Sequence, residues 1–221
     1  MAVEIDLSGR SAVVFGVANH RSIAWAIAQH LHYAGAHLTV TYQNERMGRS
    51  VLDLVKGMDR TTAVECDVLD EASVYAAVTA ASLSAPLAVA VHSVAFANKD
   101  DLEGEFSATG VEGFRTALEV SAYSFLPVAR AAAASMEGGG SILTLTFHAA
   151  DKVYPGYNVM GVAKAALENE VKQLAAEYGP SAIRVNAVSA GPLNTLAARG
   201  ISGFTGMHEV HAQRSPLKRN I

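Results

Sequence analysis

The stretch AVVFGVANHRSIAWAIA, residues 12–28, decides the fold because it holds a strand, a turn and a helix start in that order. Its apolar opening predicts a buried strand over Ala12–Phe15. Helical spacing of apolar residues then predicts a helix over Ile23–Tyr33, for which Ser22 is a suitable N-cap. A glycine turn between a strand and a helix N-terminus can hold a pyrophosphate, since the backbone approaches closely and the first N–H groups face the anion. Gly16 is the only glycine of this turn, so the motif alone is equally compatible with an ordinary strand–helix connection.

The rest of the chain repeats this alternation of apolar strands and Ala-rich helices. Further strands are predicted at His37–Tyr42, Thr62–Glu65, Leu87–Ser93, Ser141–Phe147 and Ile183–Ser189. Further helices are predicted at Arg46–Lys56, Glu71–Ala81, Val111–Met136 (interrupted near Glu119) and Tyr157–Tyr178. Strands joined by helices pair in parallel through right-handed crossovers, and strands that are apolar throughout are covered on both faces. We therefore predict one α/β domain over residues 1–221, a doubly wound parallel sheet flanked by helices on both faces.

Composition narrows the class of protein. Half of the 221 residues are hydrophobic, 17% are charged and the net charge is −4, which suits a globular core and offers no basic surface to nucleic acid. Cys66 is the only cysteine, so an internal disulfide and a cysteine-based zinc site are both excluded. His208 and His211 lack a third ligand, and we predict no metal site. The acidic N-terminal sequence and the absence of a long apolar stretch predict a cytoplasmic protein that does not enter a membrane.

The predicted strands end in residues that suit a dinucleotide. Gln43 follows the second strand, where a carboxylate would bind a ribose 2′-hydroxyl and an arginine would accept a 2′-phosphate. Because Gln43 is neutral and both Glu45 and Arg46 lie close by, the choice between NAD and NADP stays open. Asp67, after the third strand, suits either an adenine amino group or a helix cap. Small residues at 92–95 follow the fourth strand, at the crevice where a cofactor would lie.

The segment YNVMGVAK places Tyr157 and Lys164 seven residues apart on one helix. Seven residues span nearly two turns, so both side chains lie on one face, with their backbones about 10 Å apart. An ammonium near a phenol favours the ionised phenol, and the same ammonium can hydrogen-bond a ribose diol. A core tyrosine with a snorkelling lysine is the alternative. The position of the pair, directly after a strand of a parallel sheet, favours a catalytic role.

The region after the sixth predicted strand suits a ligand contact and a cover. Thr195 can reach a nicotinamide amide or a pyrophosphate. Residues 196–207 are apolar but glycine-rich, which is typical of a mobile flap over an apolar substrate. A short surface helix that packs Ile201 and Phe204 against the domain is the alternative.

These segments together resemble one known family. GVANHRSIAWAIA, TYQNE, CDV, YNVMGVAKAALE, RVNAVSAGPLNTLAARGI and SPLKR are similar to the bacterial enoyl-acyl-carrier-protein reductases of the short-chain dehydrogenase/reductase superfamily, from Leu7 to Arg219. The resemblance implies a Rossmann-type fold, an enoyl substrate carried by acyl carrier protein, NADH in preference to NADPH, and a homotetramer. It also implies that Tyr157 hydrogen-bonds the thioester carbonyl and stabilises the enolate, while Lys164 holds the nicotinamide ribose.

The same resemblance implies two sets of lining residues. The cofactor would be lined by Gly16, Ser22, Ile23, Gln43, Asp67, Val68, Ser93, Ala95, Lys164 and Thr195. The acyl pocket would be lined by Leu102, Phe147, Tyr157, Met160, Ala197, Ile201, Phe204 and Met207.

Three positions depart from the family pattern. Phe147 stands where the family often has a second tyrosine, and the nearby Tyr154 does not align with it. Ala95 replaces the glycine that usually follows the fourth strand, which adds a methyl group close to the cofactor. The residues up to Ile221 also lack the family's last helix and closing strand, so we expect an exposed sheet edge and an effect on both activity and tetramer formation.

Two other functions are compatible with these residues. A ketoacyl-type carbonyl reductase of the same superfamily would place a serine on the strand before Tyr157. Thr144 and Thr146 lie on that strand, but the useful offset carries Phe147 and His148, which counts against this alternative. A dinucleotide-binding protein without turnover is the non-enzymatic alternative.

Overall fold

The computed structural model describes residues 5–195 and 204–220, and in them the predicted α/β fold is confirmed. Six parallel strands form one sheet in the order β3-β2-β1-β4-β5-β6. The strands are β1 (Ser11–Phe15), β2 (His37–Tyr42), β3 (Thr61–Glu65), β4 (Leu87–His92), β5 (Gly140–Phe147) and β6 (Ile183–Ala190). The helices are α1 (Ile23–Tyr33), α2 (Glu45–Val55), α3 (Glu71–Ser82), α4 (Val111–Leu118), α5 (Phe125–Ser135), α6 (Asn158–Tyr178) and α7 (Phe204–Arg214). The boundaries predicted for the six strands and for α1 to α6 agree with these to within one residue.

The core lies on both faces of the sheet. Strand β1 is completely buried, and its side chains alternate between two apolar clusters. Val13 and Phe15 belong to the cluster formed with α3, α5 and α6, whereas Ala12 and Val14 belong to the one formed with α1 and α2. Helices on both faces are what a doubly wound sheet requires, since neither face of a parallel sheet is left to water.

The strand order creates the crevice in which a ligand can bind. The chain builds β1, β2 and β3 towards one edge and then returns to place β4 on the other side of β1. Loops therefore leave the carboxyl ends of β1 and β4 in opposite directions, which opens a gap between them. Beyond β4, the sheet continues to β6, which is the edge strand within the described ranges.

The interruption predicted near Glu119 is confirmed as a π-helical turn over Glu119–Tyr123, between α4 and α5. This turn points Ser121 inward. The Ser121 hydroxyl donates to the carbonyl of Phe96 and accepts from the Phe96 N–H, both at 2.9 Å. The turn therefore fixes the loop that follows β4. None of the helices in the described part of the chain combines the length and apolar character that crossing a bilayer requires.

Candidate active site

The glycine turn after β1 lies at the crevice. Gly16 has φ +89°, and a Cβ atom added there would lie 2.3 Å from the Ser93 carbonyl oxygen. The Ser93 N–H donates to the Phe15 carbonyl at 3.1 Å, and the Gly16 N–H donates to Thr41 Oγ1 at 3.3 Å. The ends of β1, β2 and β4 therefore meet at Gly16, and only a residue without a side chain fits there. This close backbone approach is the cradle that a dinucleotide needs beside a helix N-terminus.

We expect Gly16→Ala to destabilise the fold and to weaken NADH binding. The added methyl group must displace the Ser93 carbonyl and also adopt a left-handed backbone, which together cost about 2 to 3 kcal/mol. Gly57 is the matched control because it has φ +81° but no atom within 4 Å of an added Cβ, so Gly57→Ala carries only the backbone strain. Urea unfolding and NADH titration of both variants test this, and equal behaviour of the two would contradict the role of the Gly16–Ser93 contact.

The N-terminus of α1 faces the same crevice, and Ser22 caps it. The Ser22 hydroxyl donates to the Asn19 carbonyl at 2.8 Å and accepts from the Trp25 N–H at 3.2 Å. The expected capping role is therefore confirmed. Ile23 is the first residue of the helix and is half-buried.

The ends of β2 and β3 present the residues predicted for the adenosine end of the cofactor. Gln43 and Asp67 are exposed, and Val68 is buried. An Asp67 carboxylate oxygen accepts from the Leu69 N–H at 3.0 Å, while the N-cap of α3 is Asp70. The alternative that Asp67 caps this helix is therefore wrong, because the chain makes one more turn before the helix begins.

The predicted pair of Tyr157 and Lys164 lies at the carboxyl end of β5. Tyr157 is the residue immediately before α6, which begins one residue later than predicted, and Lys164 lies on the second turn. Both side chains are buried, at 9% and 5% exposure. The Lys164 ammonium donates to the Leu145 carbonyl at 2.8 Å. The alternative of a snorkelling lysine is wrong, since this ammonium lies inside the domain.

Burial sets the ionisation of this pair. It raises the pKa of Tyr157 to about 12 and lowers the pKa of Lys164 to about 8. The expectation that the ammonium favours the ionised phenol is therefore not met in this structure. Burial of the phenol disfavours its charged form more than a nearby ammonium favours it. At neutral pH Tyr157 is a neutral phenol with a proton to donate.

Asn158 fixes the start of α6 and is not among the residues predicted from the sequence. Its φ is +25°, a left-handed conformation that asparagine tolerates better than most residues. Its side-chain amide donates to the carbonyls of Glu103 and Gly104, at 3.3 and 3.2 Å. The loop beyond β4 is thereby tied to the residue that follows Tyr157.

A buried histidine beneath the site was also missed. His92, at the end of β4, is completely buried, and burial is the first cause that lowers its pKa to about 3. Its Nε2 lies 2.8 Å from Ser124 Oγ, and its Nδ1 lies 3.0 Å from Thr144 Oγ1. The Ser124 hydroxyl also lies 2.7 Å from the Val120 carbonyl, and the Thr144 hydroxyl lies 3.2 Å from the His92 carbonyl, so both ring nitrogens belong to one buried hydrogen-bond network. The neutral ring thus joins β4, β5 and the start of α5. In the sequence, the one sign of this role is that the apolar strand LAVAVH ends in a polar residue.

Four of the residues predicted for the acyl pocket lie in the described part of the structure with their side chains, and they pack together. Leu102, Tyr157 and Met160 are buried in one apolar cluster, against which Phe147 packs. The ring centres of Phe147 and Tyr157 are 5.1 Å apart. Ala197 and Ile201 lie outside the described residues, as do the side chains of Phe204 and Met207, whose backbone belongs to α7.

The remaining predicted residues follow β4 and β6. Ala95 is exposed, Ser93 is half-buried beside Gly16, and Thr195 is half-buried with its N–H donating to the Leu193 carbonyl at 2.8 Å. Within residues 5–195 and 204–220, no three His, Cys, Asp or Glu side chains are grouped as a metal site would require.

A parallel sheet of this order, with a glycine turn at its switch point and a buried Tyr–Lys pair at its carboxyl edge, defines a nucleotide-binding reductase of the short-chain type. Comparison with known proteins makes the assignment specific. The family model described as Enoyl-(Acyl carrier protein) reductase matches residues 16–221. The chain belongs to this family, as its sequence predicts.

Individual relatives agree with the family. The Bacillus subtilis enoyl-[acyl-carrier-protein] reductase [NADH] FabI is 46% identical over 222 residues, covering 98% of this chain and 85% of the relative. The crystal structure of the Bacillus cereus enoyl-acyl carrier protein reductase, with NADP+ and indole naphthyridinone, superimposes with a TM-score of 0.92 at 45% identity, covering 97% of this chain and 85% of that one. The Anaplasma phagocytophilum reductase in complex with NAD gives a TM-score of 0.90 at 43% identity, covering 97% and 82% of the two chains.

Proposed function

We propose that this protein is an NADH-dependent enoyl-acyl-carrier-protein reductase of fatty-acid biosynthesis. It reduces the double bond of a trans-2-enoyl thioester. The observation that carries the proposal is the buried pair Tyr157 and Lys164, of which Tyr157 belongs to an apolar cluster with Leu102 and Met160. The relatives named NADH enoyl-[acyl-carrier-protein] reductases align with nearly the whole chain, which supports both the reaction and the cofactor.

Residues at the carboxyl edge of the sheet would hold the cofactor. The backbone at Gly16 and the N-terminus of α1 would bind its pyrophosphate, because N–H groups and the helix dipole favour an anion there. The other residues we assign to it are Ser22, Ile23, Gln43, Asp67, Val68, Ser93, Ala95, Lys164 and Thr195. When bound, NADH supplies the hydride that reduces the β-carbon of the substrate.

Tyr157 is the residue of this protein that stabilises the charge that develops on the substrate. Its neutral hydroxyl hydrogen-bonds the thioester oxygen, where negative charge develops as the double bond is reduced. A donor already fixed in an apolar site stabilises that charge more than water does. Because the pKa of Tyr157 is held near 12, the hydroxyl keeps its proton over the physiological pH range.

Lys164 and the apolar cluster prepare the site for this step. The Lys164 ammonium donates to the Leu145 carbonyl in this structure. With the cofactor bound, it would hold the nicotinamide ribose and bring positive charge close to the developing anion. Leu102, Phe147 and Met160 exclude water and contact the acyl chain. Ala197, Ile201, Phe204 and Met207 complete this pocket in our assignment.

The substrate arrives on acyl carrier protein, and the protein acts in the cytoplasm as a homotetramer. The description of the family supports acyl carrier protein as the carrier of the substrate. Size-exclusion chromatography with light scattering measures the assembly directly.

Nicotinamide oxidation by the purified protein tests the function. We expect oxidation of NADH, and slower oxidation of NADPH, with a short enoyl thioester, and none with a β-ketoacyl thioester. Oxidation with the β-ketoacyl substrate alone would instead identify a carbonyl reductase. NADH binding without turnover of either substrate would identify a dinucleotide-binding protein without activity.

A further inference from the structure

Four ring side chains pack in a row from the protein surface to the catalytic tyrosine: His148, Tyr154, Phe147 and Tyr157. Tyr154 packs against Phe147 with ring centres 4.9 Å apart, and Phe147 packs against Tyr157 at 5.1 Å. The outer end of this row is polar, because the Tyr154 hydroxyl forms a hydrogen bond of 2.9 Å with His148 Nδ1. The Phe147 ring is therefore held between two tyrosine rings, one of them catalytic.

Tyr154 is also joined to Tyr157 through the backbone. The Tyr157 N–H donates to the Tyr154 carbonyl at 3.1 Å, which closes the turn before α6. His148 fixes the same turn from its other end, since its carbonyl accepts the N–H groups of Asp151 and Lys152 at 3.1 and 3.0 Å. The imidazole–hydroxyl bond therefore ties together the two ends of the segment that connects β5 to Tyr157.

The Tyr157 ring depends on these contacts for its orientation. Its hydroxyl has no hydrogen-bond partner within the described ranges, so packing and backbone alone hold the phenol. Phe147 carries no hydroxyl and contributes only its shape. The hydrogen bond to His148 restrains the Tyr154 ring, which packs against Phe147, and Phe147 in turn packs against Tyr157.

We propose that Tyr154, anchored by His148, is a positioning residue that orients the catalytic ring of Tyr157 through Phe147. The inference rests on the proposed reductase function and adds two residues to the machinery of the reaction. Tyr154 reaches neither Gly16 nor the other residues of the cofactor crevice in any contact described above. Its loss therefore affects the catalytic step and leaves NADH binding in place.

Steady-state kinetics of Tyr154→Phe and His148→Leu test the proposal. Each variant removes one partner of the hydrogen bond between Tyr154 and His148. Tyr154→Phe keeps the ring that packs against Phe147, and His148→Leu changes only an exposed side chain. We expect kcat to fall about tenfold in each, since a small misplacement of a catalytic group is costly, while the KM for NADH stays within about twofold. The double variant should fall no further than either single one, because both remove the same interaction.

His148→Asn is the conservative variant that separates positioning from general structure. The asparagine amide offers a donor and an acceptor near the position of Nδ1, so it can keep the bond whichever partner donates. We expect it to restore most of kcat. Tyr33→Phe and His30→Leu change an exposed tyrosine and an exposed histidine far from the site, and should match the wild type.

The outcomes separate this inference from the proposed function. A wild-type protein that oxidises no NADH with an enoyl thioester contradicts the function and, with it, the inference. An active wild type whose Tyr154→Phe variant keeps full kcat contradicts the inference alone. So does an additive double variant, or a loss of kcat matched by an equal rise in the KM for NADH.

Discussion

Replacing Tyr157 by phenylalanine should lower kcat about a hundredfold, the usual effect of removing one preorganised donor from a developing oxyanion. The affinity for NADH should change little, because the lost hydroxyl acts on charge that exists only in the transition state. The ring itself is retained, so its packing on Phe147 and the buried cluster persists. Single-turnover kinetics and NADH titration measure the two quantities separately.

Tyr178→Phe is the control for this variant. Tyr178 ends the same helix, about 30 Å from its first residue, and should keep full activity when its hydroxyl is removed. An equal loss of turnover and of NADH affinity in Tyr157→Phe would show that the hydroxyl binds the ground state and does not stabilise the transition state.

Replacing Lys164 by methionine should weaken NADH binding at least about tenfold, since a charge-assisted bond to the ribose is lost. Catalysis should fall with it. The free protein, however, should become more stable at neutral pH, because the buried ammonium is costly. Its pKa near 8, against an ordinary value of 10.5, corresponds to about 3 kcal/mol of unfavourable free energy. The Leu145 carbonyl loses its donor in the variant, which offsets part of this gain, and we expect a net gain of about 1 kcal/mol.

The pH dependence of that gain identifies its cause. Between pH 8 and 10.5 the unfolded chain binds more protons at this lysine than the folded one, so the stability of the wild type rises with pH across this window. The advantage of the methionine variant should therefore be largest below pH 8 and shrink towards pH 10.5. Tyr157 titrates in both proteins and cancels in the comparison. Lys172→Met, at an exposed position of the same helix, should show neither effect, and a gain that is independent of pH would contradict burial of the charge as its source.

The sequence predicts the elements well because their signals are local. Apolar runs mark the strands, and Ser22 precedes a helix that it caps. The pair Tyr157 and Lys164 is recognisable for the same reason, since both residues belong to one short segment.

What the sequence could not predict depends on contacts between distant segments. His92 meets Ser124 and Thr144, which are 32 and 52 residues away, so its buried network exists only once the sheet has formed. The burial of Lys164, and with it the neutral state of the phenol, likewise follows from packing. The contact of Gly16 with Ser93 requires β1 and β4 to be neighbours, which strand spacing alone does not specify.

The most direct test of the reductase assignment follows the hydride itself. NADH carrying deuterium at C4 of the nicotinamide is incubated with the protein and an equal mixture of an enoyl thioester and a β-ketoacyl thioester, and the products are analysed by mass spectrometry. We expect deuterium at the β-carbon of a saturated acyl thioester, with the β-ketoacyl compound recovered unchanged. Deuterium in a β-hydroxyacyl product, with the enoyl thioester left intact, would contradict the account.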